Sequence, residues 1–364
     1  MAKPSVSRNT ALDVARCLAF FSVISVHYFL NNQYYDIFLI GPRMLLHTIL
    51  RSASMVCVPL FLLLSGYFLK NKRPDRNHYK KLVRLVCLYV MASGCCYFYN
   101  FGFSGNLFQF IRETLGFTAA KYAWYMNMYF GLFLLIPYLN ILYNGLPSQN
   151  SKIQLIFTLL FLTSFISIAN SFAYHEGIGW TIAVSTTVNQ VLLPDWWANL
   201  YPITYYFLGS YLKDHPLPIK RFWNFLLYIL VAVGTGILNF VLAQGNVFLH
   251  GPWQDWGSIL NVAQSVLLFN LLTNMELKRF PKKLCTRLSR ISGLTFSAFL
   301  VSYIFDSIVY RYLSQIQPIP ALRLVYYPLT TFVIGSCSLL LSWVLDCIYD
   351  LLASGVSHLF SRGK

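Results

Sequence analysis

Long apolar stretches separated by short polar segments dominate the chain. Ten can be counted, at about residues 11–30, 46–69, 82–103, 124–143, 153–173, 200–212, 222–243, 256–274, 292–312 and 325–350. Apart from the short sixth stretch, which contains Pro202, each has about the 20 residues that a helix needs to cross the hydrocarbon core. Because a chain in lipid must satisfy its own backbone hydrogen bonds, these stretches are expected to be helices. The pattern predicts an all-α, polytopic membrane helix bundle of about ten transmembrane helices.

The positive charges are unevenly divided among the segments that join these stretches. Of the 28 Lys and Arg residues, 21 fall in one alternate set: the N-terminus, Lys70–Arg84, the segment around Lys152, Lys213–Arg221, Glu276–Arg290 and the C-terminus. The other alternate set of segments holds six, and the remaining residue, Arg16, lies within the first apolar stretch. Basic residues favour the cytoplasmic side of a membrane. This division predicts a multi-pass protein of the inner or plasma membrane with both termini in the cytoplasm and Tyr174–Leu200 outside.

Composition narrows the class further. With 57% hydrophobic and 11% charged residues, the chain has no room for a large soluble domain, so we expect one membrane domain over 1–364 with a core of about 8–350. The net charge of +16 lies in the connecting segments, which points to topology and membrane lipids and predicts no nucleic-acid partner. The eight cysteines show no metal-ligand spacing, and no metal is predicted. Asp13 and Arg16 interrupt the first apolar stretch, so no cleavable signal peptide is expected.

Two ionisable residues, Arg16 and His27, lie within the first apolar stretch. They are eleven residues apart, which turns a helix by about 1,100° and places both side chains on nearly the same side, roughly 16 Å apart along the axis. Asp13 shares that face. Ionisable groups inside a membrane segment are costly and usually mark a functional site. The alternative is an interfacial Asp13–Arg16 ion pair, with His27 extending to the far surface.

Several motifs along the chain occur in a recognisable order. They are Leu12–Arg16 followed by His27, then Val58–Leu69, Tyr79–Leu85, Ala123–Met126, Gly131–Pro137, Tyr201–Gly209 and Ile291–Phe296. Together they resemble the acyltransferase-3 family of integral membrane acyltransferases, over about residues 8–350. The resemblance implies transfer of an acyl group, usually acetyl, from cytoplasmic acetyl-CoA to a hydroxyl of an envelope polysaccharide or its lipid-linked precursor. Acetyl-CoA is then a donor substrate, and no permanently bound cofactor is expected.

The reaction that the resemblance implies assigns chemistry to the ionisable residues. Acyl transfer to an alcohol needs a proton acceptor, and histidine is the side chain best matched to neutral pH. His27 is therefore predicted to be the catalytic base or acyl-relay residue. Arg16 is predicted to act beside it, at the thioester carbonyl or on CoA phosphates. Lys80 and Arg84 are the further candidates for donor binding; the alternative is that this basic stretch only sets topology.

Five more residues are predicted to contact the substrate: Asp13, Trp124, Tyr125, Ser302 and Asp306. Many family members carry a late histidine where this chain has Ser302, which puts a mechanism that needs two histidines in doubt. Asp306 follows Ser302 by one helical turn. The two residues can line one cavity, or they can be a buried hydroxyl and a helix-end carboxylate.

Two other classes of protein stay open on the residues alone. In a transporter or flippase for a glycan or small anionic substrate, Arg16, His27 and Asp306 would form a path across the membrane. A transporter usually shows weak internal symmetry, which is not evident here. A non-catalytic scaffold needs no aligned Arg and His within a span. Some relatives of the acyltransferase-3 family carry an extracytoplasmic esterase-like domain, and none is expected in this chain. Either these spans perform the whole reaction, or a separate extracytoplasmic transferase completes it.

Overall fold

The computed structural model describes residues 9–175, 179–182, 192–275 and 280–362. These residues are almost entirely helical. The first helices are α1 (Thr10–Asn31), α2 (Gly41–Ser54), α3 (Cys57–Leu69), α4 (Arg76–Phe101), α5 (Leu107–Leu115), α6 (Trp124–Gly145), α7 (Gln149–Leu160) and α8 (Ile166–Ala169). The later ones are α9 (Tyr201–Asp214), α10 (Arg221–Leu242), α11 (Ile259–Thr273), α12 (Lys282–Ile316) and α13 (Tyr327–Arg362). Between α8 and α9, strands β1 (Phe172–His175) and β2 (Gly179–Ile182) form an antiparallel hairpin.

Nine helical segments in the described ranges are long and apolar enough to cross a membrane: Thr10–Asn31, Gly41–Leu69, Arg76–Ser104, Trp124–Gly145, Gln149–Ala169, Arg221–Leu242, Pro252–Thr273, Lys282–Ile316 and Pro320–Gly355. The predicted helical membrane bundle is therefore confirmed. The sixth apolar stretch forms α9, whose 14 residues rise only about 21 Å. Helix α9 is thus shorter than a full span. The cytoplasmic placement of the termini stays a prediction, and residues 176–178, 183–191 and 276–279 of the predicted connecting segments lie outside the described ranges.

Helix α1 lies at the centre of the bundle and packs against α2, α3, α11, α12 and α13. It begins at Asn9, whose side chain accepts a hydrogen bond from the backbone of Ala11, as a good N-cap does. The small residues Ala11, Ala15 and Ala19 recur every four positions and are buried, which permits close approach of neighbouring helices. By contrast, little of α10 is buried and its exposed side chains are almost all apolar, as expected of a helix that faces lipid.

Helices α3 and α9 pack through two glycines. A Cβ atom on Gly66 would overlap the carbonyl oxygen of Tyr206, and one on Gly209 would overlap that of Leu63. Without side chains at these positions the two backbones touch, which is the usual means of close helix association in membranes. Just beyond this contact, Lys70 pairs with Asp214. The two helices therefore run in the same direction, with their C-terminal ends together.

Helices α1 and α12 also run in the same direction, side by side. The hydroxyl of Ser292 donates a hydrogen bond to Asp13 near the start of α1, and Asp306 contacts His27 near its end. Fourteen residues separate the two contact positions on each helix, which is two heptads of a parallel helix pair. The positions are thus about 21 Å apart along either axis. This pairing sets the length over which the functional residues are distributed.

Candidate functional site

A cavity of about 720 Å³ lies between α1, α3, α4, α6 and α12. Most of its lining is apolar or aromatic, and its basic lining residues are Arg16, His27, Lys81 and Arg84. A cavity of this size lies within the range that small-molecule and cofactor sites occupy. Helix α1 forms one wall, and its residues Arg16 and His27 both line the cavity, as their eleven-residue spacing predicts.

One end of the cavity is cationic. The guanidinium carbon of Arg16 lies 5.2 Å from the centre of the Phe68 ring, which holds the side chain in place by a cation–π contact. Lys81 and Arg84 come from the first turns of α4 and lie one turn apart on the same face. The Arg84 side chain is 47% exposed, and its Nη2 atom lies 3.5 Å from Asp346 Oδ1. This end therefore offers three positive charges, of which the α4 pair reaches solvent.

The other end of the cavity is built around His27, which is buried. Its ring stacks on that of Tyr122, with centroids 3.4 Å apart and planes inclined by 22°. Its Nδ1 atom lies 3.4 Å from Asp306 Oδ2, and the same oxygen accepts a 2.7 Å hydrogen bond from the Tyr122 hydroxyl. Asn31 donates to the Tyr122 oxygen and to the backbone oxygen of His27, both at 2.9 Å. Residues from α1, α12 and the segment before α6 thus hold the imidazole in one place.

At this end of the cavity, Tyr122 is a neutral hydrogen-bond donor to Asp306. Burial and the neighbouring carboxyl of Asp306 hold the pKa of Tyr122 well above its ordinary value, so its hydroxyl is a hydrogen-bond donor at neutral pH. Asp306 Oδ1 and His27 Nδ1 are buried, and neither makes a hydrogen bond to any residue that the structure describes. Buried polar atoms normally have such partners. The arrangement is therefore suited to receive a polar group from a substrate.

The distance between Arg16 and His27 distinguishes the two roles predicted for Arg16, which are action at the thioester carbonyl and binding of the CoA phosphates. The residues lie at opposite ends of one cavity, roughly 16 Å apart along α1. A thioester carbonyl beside His27 is out of reach of a guanidinium at the other end. The geometry therefore favours donor binding over action at the reacting carbonyl, and the roles themselves stay predictions.

Of the remaining predicted residues, two line the cavity and two lie next to its lining residues. Trp124 and Tyr125 line the cavity, and Trp124 stacks on Trp256 with centroids 6.1 Å apart. Asp13 lies one layer behind the wall, because Ser292, which donates to it, is itself a lining residue. Asp306 touches His27 but faces a different pocket.

Two predicted residues are not brought to the cavity. Ser302 is fully buried and donates a hydrogen bond to the carbonyl of Phe299 in its own helix, so its side chain serves the helix backbone. On α4, Lys81 lines the cavity and Lys80 does not. Lys80 and Lys81 precede Arg84 by four and three residues, so both lie within about 60° of it around the helix axis, and the packing of α4, not the helical repeat, turns Lys81 toward the cavity.

Tyr122, Asn31, Lys81 and Trp256 belong to the site but do not stand out in the sequence. Tyr122 directly precedes the Ala123–Met126 motif, and this position is the only local signal for it. Its hydrogen-bond partner Asp306 is 184 residues away. No local spacing indicates a contact of that kind.

The donor groups of the site suit an organic ligand. In the ranges that the structure describes, no three His, Cys, Asp or Glu residues are arranged to hold a metal ion. Cations at one end, an apolar middle and an imidazole at the other end suit a long molecule with a charged head and a reactive tail.

Comparison with known proteins identifies the family. The acyltransferase-3 family model, described as an acyltransferase domain, matches residues 9–347. No curated protein and no solved structure matches the chain. The family match takes in the whole cavity and nearly the whole chain, and the bundle supplies the multi-pass membrane architecture. The chain therefore belongs to the acyltransferase-3 family and is a membrane acyltransferase.

Proposed function

We propose that the protein transfers an acetyl group from cytoplasmic acetyl-CoA to a hydroxyl of an envelope polysaccharide or its lipid-linked precursor, at the inner or plasma membrane. One observation supports this proposal above the others. A single cavity has cations at one end and a buried histidine, backed by a carboxylate, at the other. The two ends match the two ends of a thioester donor.

The donor fits the cavity in one direction. The phosphates of CoA would lie against Arg16, Lys81 and Arg84, because charged hydrogen bonds to phosphate are the strongest that these side chains make. The slender pantetheine arm would run along the apolar middle. Its thioester would then lie near His27. Lys81 takes the place that the sequence suggested for Lys80.

The chemistry uses His27 as the general base. Its Nδ1 atom faces Asp306, so the opposite nitrogen, Nε2, takes the proton of the acceptor hydroxyl. The hydroxyl oxygen forms a bond to the thioester carbonyl carbon, the carbon–sulfur bond breaks, and the CoA thiolate receives the proton from His27. Asp306 stabilises the imidazolium that exists between these steps, and Tyr122 holds Asp306 in position before the acceptor binds.

Labelled acetyl-CoA tests this function in membranes that contain the wild-type protein or the His27→Gln variant. Glutamine keeps hydrogen bonding but cannot take up the proton, so transfer to envelope glycan should fall by about 10²–10⁴-fold. His215→Gln, at the end of α9, is the matched control and should transfer normally. Equal amounts of membrane-inserted protein are verified first.

Two results would contradict the proposal. If the wild-type protein labels no glycan or lipid-linked sugar, acetyl transfer to envelope glycan is wrong. If the Gln variant transfers at the wild-type rate, His27 only packs or orients, and Asp306 is the next residue to test as base. Accumulation of a labelled lipid-linked intermediate, without labelled polysaccharide, would indicate a separate extracytoplasmic transferase that completes the reaction.

Thiol labelling tests the proposed orientation. The division of basic residues places Arg76 and Lys282 in the cytoplasm and Glu176 outside. In intact cells, Arg76→Cys and Lys282→Cys variants should resist a membrane-impermeant maleimide, whereas Glu176→Cys should react. Permeabilised cells serve as the control, in which all three should react. The opposite pattern in intact cells would reverse the orientation and, with it, the side from which the donor enters.

A further inference from the structure

A second pocket, of about 350 Å³, lies where α1 ends and α12 passes it. Its floor includes Asp306 and Arg323, which are buried, and its rim includes Gln33, Arg311 and Ser314, which are exposed. We call it the polar pocket. It opens at the surface at the same end of the bundle as His27, the end predicted to face outside.

Only a thin partition separates the polar pocket from the cavity described above. His27 and Tyr122 line the cavity, whereas Asp306 and Asn31 line the polar pocket. These four side chains touch one another: Tyr122 donates to Asp306, Asn31 donates to Tyr122, and His27 lies against both Tyr122 and Asp306. The partition is therefore one layer of side chains joined by two hydrogen bonds.

The floor of the polar pocket has unused hydrogen-bonding capacity. Asp306 Oδ1 and the Tyr310 hydroxyl are buried without a hydrogen bond to any residue in the described ranges. The hydroxyl of Tyr28, whose ring packs on that of Tyr310, is also buried and makes no hydrogen bond to any residue in the described ranges. Arg323 is held rigidly, because its Nε and Nη2 atoms donate to the backbone oxygens of Gln317 and Pro318. A cluster of unpaired buried polar atoms in a native fold calls for a polar ligand or water.

We infer that the polar pocket is the acceptor site, and that it binds a sugar ring of the acceptor glycan. This inference rests on the proposed acetyl transfer to a glycan. Amide, hydroxyl, carboxylate and guanidinium groups in one pocket can donate to and accept from sugar hydroxyls. The volume lies at the lower end of the range for ligand sites, as expected for a pocket that holds one sugar residue. The mostly apolar cavity suits the donor instead.

The two substrates therefore approach His27 from opposite sides of the partition. A sugar that displaces the Tyr122 hydroxyl from Asp306 enters beside the His27 ring, and the opened partition leads its reacting hydroxyl to Nε2, the nitrogen that takes its proton. Displacing Tyr122 breaks the two hydrogen bonds that close the partition. The acceptor thus opens the route to the thioester only when it is bound, which limits transfer of the acetyl group to water.

Steady-state kinetics test the acceptor site with two variants that do not touch His27. The probe is the glycan fraction from envelopes of cells that lack the enzyme, with labelled acetyl-CoA as donor. Arg311→Ala removes a rim hydrogen-bond donor, and Ser314→Trp fills the mouth. Each should raise the KM for glycan by about tenfold or more, as expected for loss of one or two polar contacts, while the KM for acetyl-CoA stays the same.

Matched controls use exposed residues at the same end of the bundle that do not line the polar pocket. They are Arg43→Ala for the lost charge and Tyr312→Trp for the added bulk, and both should have the wild-type KM for glycan. An unchanged KM for glycan in Ser314→Trp would overturn the inference. A lowered kcat with an unchanged KM would also overturn it, because the pocket would then serve proton exit instead of acceptor binding.

Thiol protection provides a readout that needs no turnover. A Ser314→Cys variant should react with an impermeant maleimide from outside, and the same glycan fraction should slow that reaction severalfold. Equal rates with and without glycan would contradict acceptor binding at this pocket. Failure of the proposed function is distinguishable, because the wild-type protein itself would then transfer no label to the glycan in the kinetic assay.

Discussion

The two ends of the cavity are built in opposite ways. At the cationic end, Arg84 is half-exposed and lies 3.5 and 3.9 Å from two acidic residues of α13. At the other end, His27 is buried and held by Tyr122, Asp306 and Asn31 through ring stacking, a 3.4 Å contact between Nδ1 and Asp306 Oδ2, and a hydrogen bond to its backbone oxygen. One end presents exposed charges, and the other is a buried cluster of side chains that contact one another.

This difference indicates what each end contributes. Exposed charges bind a phosphate-rich ligand with modest, salt-sensitive energy, as the proposed release of CoA requires. A reacting group must instead be fixed in position, because misplacement by about 1 Å is costly in rate. Changes at the histidine end should therefore lower kcat, and changes at the cationic end should raise the KM for acetyl-CoA.

The strongest test of this comparison after His27 itself is Asp306→Asn. The change keeps the size of the side chain but removes the charge that stabilises the His27 imidazolium. We expect kcat to fall by about 10–100-fold, as for loss of a hydrogen bond to a charged group, with the KM for acetyl-CoA unchanged. Steady-state kinetics with labelled donor measure both. Asp36→Asn, which changes an exposed carboxyl at the same end, is the control. A wild-type kcat in Asp306→Asn would show that the contact between Asp306 and His27 has no role in the reaction.

A smaller effect is expected for Arg16→Ala. Removing the guanidinium that packs over Phe68 should raise the KM for acetyl-CoA by about tenfold, the cost of one charged contact to phosphate. The kcat should change little, because Arg16 lies far from His27. The Arg16→Lys variant adds a second measurement. If it lowers kcat without changing KM, Arg16 acts at the reacting carbonyl and the division into two ends is wrong.

The smallest effect is expected for Arg84→Ala, compared with Lys80→Ala. Arg84 lines the cavity but is exposed and partly neutralised by α13, so the KM for acetyl-CoA should rise only about two- to fivefold. That difference should shrink at high salt, which screens exposed charges. Lys80 does not line the cavity, and Lys80→Ala should match the wild type. Equal increases in the two variants would show that the net charge of the α4 start matters and the position of each cation does not.

Some features of the site could be predicted from local pattern. The eleven-residue spacing of Arg16 and His27 places both on one side of a single helix. In the structure, both side chains line one cavity. Periodicity within one helix is independent of its neighbours, so such a prediction needs only the helical repeat. The family motifs also pointed to Trp124 and Tyr125, which line the same cavity.

Other features depended on how the helices are rotated and paired. Lys80 and Lys81 are adjacent, and packing alone decides which of them faces the cavity. Ser302 and Asp306 lie one turn apart on α12, yet only Asp306 reaches His27. A helix that is apolar on all sides has no polar stripe to indicate its inner face, so the sequence leaves that rotation open.

The sequence by itself determined the helical membrane architecture, the family and the positions of Arg16 and His27 on one helix, because each of these depends on hydropathy or spacing along a short segment. The tertiary structure decided the partners of His27. Asp306 follows it by 279 residues, and Tyr122 comes from a third part of the chain. Such contacts arise from the parallel packing of α1 and α12, in which two heptads align Asp13 with Ser292 and His27 with Asp306. No local pattern encodes which two helices pack in that register, since the polar residues that meet are 279 residues apart in the chain.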